Sequence, residues 1–399
     1  MQLRGLVASL VLAAACGNAT PPGAPPAPTP TTPNTPSAPS APIRLTPTDV
    51  TLIWPLPTDT TQLDSMLAAT SAGAHGELLP ASLYEVPILD ERDDSVTDAK
   101  ADRARLRVVA ARFEPCRNSF GSPHDASCVN QLRLVLQVLR PGGGGIDRST
   151  IGANDGAVLA FYKLTRDEVL ALARDTAALG GTSEMLGVHP GLAREGLGSA
   201  YAKKLQAKIL ALVGANRLTK ITFFARTRAR EPLWPFGTFE VKDGKVLKKT
   251  IPTLSVDRQT LEGAGPRKVI EPITSSPDNP AVLLGIMGAT RTATAAERAA
   301  YGSVLRIQHP GKHNPDTIAC AECHAAQRMQ EAAERTLGLR VEDFASDAYA
   351  SSVKVTPGKI DSENFHLTSY LGTNLAVGTR TAHDTNAVLA TMRVLLADL

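Results

Sequence analysis

The sequence predicts an α+β chain, with a strand-rich mixed domain over residues 48–290 and a small, mainly helical domain over residues 291–399. Three observations lead there. Apolar side chains alternate at period two in several short runs, the pattern of strands. Two stretches open on capping-box sequences, the signature of a helix start. The 399 residues are 43% hydrophobic and 20% charged, enough for one large or two ordinary cores.

From the amino terminus, Arg4 precedes the short apolar run Leu6–Ala15. That length suits a signal-peptide core and is too short to span a membrane. Leu12-Ala13-Ala14-Ala15-Cys16 resembles the lipobox of bacterial lipoproteins. The resemblance implies cleavage before Cys16 and lipid on its sulfur, over a leader of residues 1–16. Gly17, with no Asp in its place, implies the outer membrane. Residues 17–47 are rich in Pro, Ala and Thr, a composition that buries no core and forms an extended tether.

The elements then follow in order. Val50–Trp54 reads as a strand stopped by Pro55. Leu106–Phe113 and Val129–Leu139 alternate at period two, the second through Leu132, Leu134, Leu136 and Val138. Cys116 and Cys128 stand at the ends of these runs, so a disulfide between them makes the two runs neighbouring antiparallel strands. Ala157–Tyr162 is a third strand. Thr165-Arg166-Asp167-Glu168 opens a helix that Gly180-Gly181 ends, and a second helix runs from about Ser199 to Val213. Ile221–Phe224 resumes the strands, and Phe239–Leu247 is a hairpin about Asp243-Gly244. Thr294-Ala295-Ala296-Glu297 opens a short helix ending at Gly302. Helices over Ala325–Leu337, stopped by Gly338, and Thr385–Leu399 complete the chain.

Chemistry concentrates in Cys320-Ala321-Glu322-Cys323-His324, a CxxCH motif. This is the attachment signature of a c-type haem. Two thiols one helical turn apart meet two vinyl groups, and the next residue brings an imidazole to the iron. On this motif the 291–399 segment resembles a cytochrome c-like domain. Together with His309 and His313 upstream, the motif is similar to the layout of class III cytochromes. The likeness covers about 16 residues and departs in having a single CxxCH. It implies one covalent haem c held by Cys320 and Cys323, with His324 as proximal ligand and His313 as the leading distal ligand. His366, His309, His383 and Met392 stand behind His313, and an open sixth position is the remaining option. A Cys₂His₂ zinc site on Cys320, Cys323, His313 and His324 is the competing reading.

The five cysteines then partition into lipid (Cys16), disulfide (Cys116 with Cys128) and haem (Cys320, Cys323). A net charge of +3 without basic-aromatic runs points away from nucleic acid. No stretch reaches the roughly 18 apolar residues of a membrane helix, so membrane attachment rests on the lipid. Residues 48–290 carry no nucleophile elbow, HExxH helix or phosphate loop, so no catalytic residues are assigned. The expectation is an exported, outer-membrane lipoprotein facing the periplasm, an electron carrier rather than an enzyme, whose partners are redox proteins. A peroxidase-like haem enzyme and a surface binding or structural lipoprotein with a secondary metal site are the alternatives.

Overall fold

A ten-stranded antiparallel sheet organises the molecule. Its strands are β1 (Thr51–Ile53), β2 (Leu106–Glu114), β3 (Asn130–Pro141), β4 (Ile151–Ala153), β5 (Gly156–Leu164), β6 (Leu218–Ala225), β7 (Leu233–Lys242), β8 (Lys245–Lys248), β9 (Arg258–Glu262) and β10 (Val269–Glu271). The order across the sheet is β1-β2-β3-β5-β6-β7-β9-β10, with β4 beside β3 and β8 beside β7. The computed structural model describes residues 43–84, 99–116, 129–145, 147–225, 233–262, 268–356 and 365–397. Cys16, Cys128, the tether as far as residue 42 and the acidic stretch 90–98 lie outside the described residues. The fold is mixed α+β.

The alternating runs form strands where expected. β2 pairs antiparallel with β3, Leu106 opposite Val138 and Glu114 opposite Gln131. Cys116, just past the end of β2, is disulfide-bonded. The Asp243-Gly244 turn closes a hairpin in which Lys242 faces Lys245. Within β3 both sets of alternating residues are covered. Leu132, Leu134 and Leu136 are fully buried on one face, and Val135 and Gln137 are buried on the other. An antiparallel sheet commonly leaves one face wet; this one does not along β3.

Five longer helices pack around the strands: α1 (Arg166–Leu179), α2 (Ala200–Leu210), α3 (Ala295–Ile307), α4 (Cys320–Leu337) and α5 (Thr379–Ala397). Thr165 caps α1 and Thr294 caps α3 through the reciprocal bonds expected of capping boxes. α4 stops at Gly338, whose φ of 63° is the left-handed cap that glycine takes most easily. α3 does not end at Gly302 but continues to Ile307. A side chain at Gly302 would meet Asp347 Oδ2 at 2.8 Å, so the glycine makes room for a neighbour inside the helix. α4 begins at Cys320 rather than Ala325, and α5 at Thr379 rather than Thr385.

The expected helical segment also contains a hairpin, β11 (Thr368–Leu371) with β12 (Asn374–Val377). It is fastened to the sheet. The buried side chain of Gln137 donates to Tyr370 O (2.9 Å) and Gly156 O (3.0 Å) and accepts from Tyr370 N (2.6 Å). Tyr370 Oη donates to Trp54 O at 2.7 Å. Thr51 on β1 meets Thr385 on α5 at 2.8 Å. Residues from Ile43 onward accordingly form one compact unit, with described residues of the 291–399 segment packed onto the sheet.

Two outcomes are expected from this architecture. Gln137→Ala removes a buried amide that bonds three backbone groups, and should lower the unfolding free energy from urea titration by roughly 2–4 kcal/mol. His189 starts a short helix by accepting from Gly191 N at 3.1 Å, and burial pushes its imidazole down to about 4. An unfolded histidine protonates near ~6.5 while the folded one stays neutral, so this contribution is complete above that pH and is lost as pH falls toward 4. His189→Asn keeps a cap acceptor without the titration. The variant should lose less stability between pH 6.5 and 4 than the parent, by on the order of 2–3 kcal/mol, in denaturant titrations across that range.

Candidate functional site

Across five neighbouring strands, one face of the sheet carries Ala110 and Arg112 (β2), Arg133 and Val135 (β3), Leu159 and Phe161 (β5), Thr222 and Phe224 (β6) and Thr238 (β7). The register puts them side by side: Arg112 opposite Arg133, Arg133 opposite Phe161, Leu159 opposite Thr222, and Thr222 opposite Thr238. The first turn of α4 lies over this face, and a cavity of about 100 Å³ remains between them. Cys320, Cys323 and His324 all line it. α5 adds Arg380, Thr381 and Asp384.

The first turn of α4 has no side-chain cap of its own, since Ala319 holds the N-cap position. The sheet supplies one. Gln259 on β9, fully buried, accepts from Ala321 N at 2.9 Å and donates to Glu322 Oε2 at 2.8 Å. Burial raises the Glu322 carboxyl above its ordinary range, favouring its neutral form. Cys320 Sγ lies 3.9 Å from Thr238 Oγ1. Both thiols are free. Burial pushes Cys320 up to about 12 and raises Cys323 as well, so both are protonated at neutral pH.

His324 Nδ1 lies 2.7 Å from Phe365 O. A carbonyl only accepts, so Nδ1 carries the proton and Nε2 keeps its lone pair. The ring packs against Phe224 (centroids 5.0 Å) and Phe236 (5.1 Å). Burial lowers its pKa to about 4, keeping the imidazole neutral. A ring nitrogen oriented through a carbonyl on the other nitrogen is the usual arrangement of a metal-ligating histidine.

A network of buried ions forms the far wall. Arg112 bonds Glu114 at 2.8 Å and Asp384 at 2.9 Å, Arg133 pairs with Glu114, and Arg380 bonds Asp384 at 3.1 Å. Arg380 also donates to Ile307 O (2.5 Å) and His313 O (2.7 Å). Burial raises the Glu114 carboxyl, but Arg133 and Arg112 outweigh it and hold it below the ordinary range.

The residue types are those a covalent haem would use, but the enclosed space is too small for one as it stands. Two neutral thiols one helical turn apart meet an imidazole with a free lone pair, and the walls between are largely apolar. Arg112 Nε and Arg133 Nε are buried with no hydrogen-bond partner among the described residues. The enclosed space is smaller than the ~300–1,000 Å³ of cofactor clefts, so the walls would have to part to admit a macrocycle.

The other expected ligands are elsewhere. His313 Nε2 lies 2.8 Å from Asp278 Oδ2, and its Nδ1 lies 3.4 Å from Thr317 Oγ1. His366, buried, is held between Asp155 Oδ1 (3.0 Å) and Ser369 Oγ (2.5 Å) and packs edge-on to Phe224. His309 and His383 flank Tyr349, and Met392 is fully buried in the core. None of the five lines the cavity. His313 is not brought to the thiols, and no group of three or more His, Cys, Asp or Glu among the described residues could hold a metal ion. No helix among the described residues is long and apolar enough to cross a membrane.

Sequence reasoning passed over Arg112, Arg133, Gln259, Arg380 and Asp384. For Arg133 a signal existed: the alternation that puts Leu132 and Leu134 on one face puts Arg133, Val135 and Gln137 on the other. Comparison with known proteins adds nothing to the site, since no family model, curated protein or solved structure matches the chain.

Arg380→Ala would take one of its two guanidinium partners from Asp384 and remove the donor to the Ile307 and His313 carbonyls. It should lower stability by about 3–5 kcal/mol in chemical unfolding. Arg380→Lys should recover little of that, because one ammonium cannot reach three acceptors in the guanidinium's fork.

Proposed function

We propose that this protein carries one covalent haem c at Cys320 and Cys323, with His324 as the proximal ligand, and passes electrons to and from other redox proteins. The observation that carries the reading is that both thiols and the side chain of a tautomer-fixed histidine line one largely apolar cavity. When bound, the group supplies a one-electron couple at its iron and two vinyls to which the thiols add. The chain's own part is to orient and to shield. Phe365 O fixes the imidazole tautomer, Phe224 and Phe236 set the ring plane, and Gln259 holds the first turn of α4 against the sheet.

A second reading, a haem protein with an open sixth position, is favoured by one observation. Among the described residues lining the cavity there is no second histidine and no methionine. For His313 to ligate, it would have to leave Asp278, where Arg306 also bonds the carboxylate at 2.6 Å.

We further propose that the chain is exported and held at the outer membrane by lipid on Cys16, with a disulfide between Cys116 and Cys128. This reading rests on the Leu12–Cys16 sequence and the proline-rich stretch after it, with the disulfide following from the oxidising compartment that export implies.

The full-length protein, matured in a bacterial periplasm, tests both readings. A reduced α-band that stays with the polypeptide through denaturing electrophoresis is expected, and its absence would overturn the haem reading. His324→Ala should abolish the native spectrum. His313→Ala should leave it unchanged, and a shift to high spin would instead make His313 the distal ligand. Added carbon monoxide should change the reduced spectrum if the sixth position is open and leave it unaltered if a side chain occupies it. Labelled palmitate should enter the wild-type chain and not Cys16→Ala; equal labelling would remove the lipoprotein assignment.

A further inference from the structure

A hydroxyl, an imidazole and a carboxylate stand in series at the edge of the cavity. Ser369 Oγ lies 2.5 Å from His366 Nδ1, and His366 Nε2 lies 3.0 Å from Asp155 Oδ1. A carboxylate only accepts, so Nε2 carries the proton and Nδ1 accepts from the Ser369 hydroxyl. Nucleophile, base and orienting acid in this sequence are what activate a serine. The series is held from several sides. Asp155 follows β4, and its Oδ2 accepts from Trp234 Nε1 at 3.2 Å. Gln137 bonds Gly156 O, next to Asp155, and Tyr370, next to Ser369, so one buried amide sets both ends. Ala153 bridges to Gly372 as a second tie. The His366 ring stands edge-on to Phe224 with centroids 4.9 Å apart. Ser369 lines the cavity, with His366 and Asp155 behind it. Pro315 is exposed and lines the same cavity, which therefore reaches the surface. Asp278, His313 and Thr317 make a similar series elsewhere. Thr317 does not line the cavity, and its hydroxyl accepts from Asn314 N at 2.9 Å in a local turn.

We propose that Ser369 is the nucleophile of a hydrolytic site for small carboxylic esters, with His366 as its general base and Asp155 as the positioning residue. The substrate class follows from the cavity. About 100 Å³ lined by Val135, Leu159, Phe161 and Leu367 suits an acyl group of a few carbons. His366 Nδ1 takes the Ser369 proton as Oγ bonds to the ester carbonyl carbon, whose oxygen becomes an oxyanion. Of the side chains on the lining, the guanidiniums of Arg112 and Arg133 have the charge that suits it. The oxyanion collapses, the bond to the alkoxy oxygen breaks, and the alcohol leaves with the proton from His366. Water then adds to the acyl-serine with His366 again taking a proton, and the acid departs as Ser369 recovers its own. No haem is needed for this chemistry, and the cavity is used as it stands.

Methanesulfonyl fluoride and p-nitrophenyl acetate, applied to the full-length protein, test this. The sulfonyl fluoride should modify Ser369, located by peptide mass spectrometry, and p-nitrophenyl acetate should slow that labelling and be turned over. Ser369→Ala and His366→Gln should each lower kcat by at least ~10²-fold, and the double variant should be little worse, since the pair acts as a unit. Asp155→Asn, matched to the wild type for folded content by circular dichroism, should lower kcat by about 10²–10⁴-fold with KM unchanged. Asp155→Glu should restore part of that loss, which a merely structural carboxylate would not do. Turnover at the wild-type level in Ser369→Ala would overturn the proposal. If the variants do not fold, the wild-type label decides: a sulfonylated Ser369 protected by the ester sustains the proposal. An unlabelled Ser369, or a label on Cys320 or Cys323 in its place, overturns it. Haem staining is read separately. A negative stain defeats the haem reading and leaves a labelled Ser369 standing, and a positive stain does not rescue an unlabelled one.

Discussion

Gln259 stands between the sheet and the first turn of α4, and its amide meets two demands there. A helix start leaves backbone N–H groups without partners, and one of them, Ala321 N, is answered by the Gln259 carbonyl. The same side chain donates to Glu322, a carboxyl that burial would otherwise leave stranded. Because Gln259 is itself fixed in β9 opposite Phe236, the position of α4 is tied to the sheet's register. Cys320, Cys323 and His324 inherit that position. Remove this contact and the first turn of α4 loses its side-chain cap over a buried face.

The surrounding packing follows from covering a sheet on both sides. Period-two alternation puts Leu132, Leu134 and Leu136 into one core and Arg133, Val135 and Gln137 into another layer. Polar residues in that second layer have to find partners without water. Gln137 finds Tyr370, which draws the β11–β12 hairpin onto the sheet. Arg112 finds Asp384 and so draws in α5. Polar satisfaction, as much as apolar burial, is thus what joins the carboxy-terminal segment to the strands.

The same requirement separates the histidines. His324 has one nitrogen occupied by a carbonyl and lines the cavity, whereas His313 and His366 have both ring nitrogens beside polar partners. Those partners tie both histidines to the fold at positions outside the cavity. Spacing along the chain ranks candidate ligands by reach alone. It contains no information on which of them a nearby Asp will hold.

Much of the secondary structure was legible in the sequence, because its causes are local. Capping boxes at Thr165 and Thr294, the glycine stop at Gly338, the Asp243-Gly244 turn and the alternation in Leu106–Phe113 act within a few residues, and each reappears in the fold. The CxxCH motif is local in the same way, since its three donors are neighbours on one helical turn. The tertiary structure alone decided which face of the sheet that turn meets, that Gly302 lies inside a helix, and that the hairpin at 368–377 docks on β3. It also assembled Arg112, Arg133, Arg380, Glu114 and Asp384, which join two neighbouring strands to a helix more than 200 residues further along the chain. Register and burial bring such charges together, and no spacing rule along one chain encodes either.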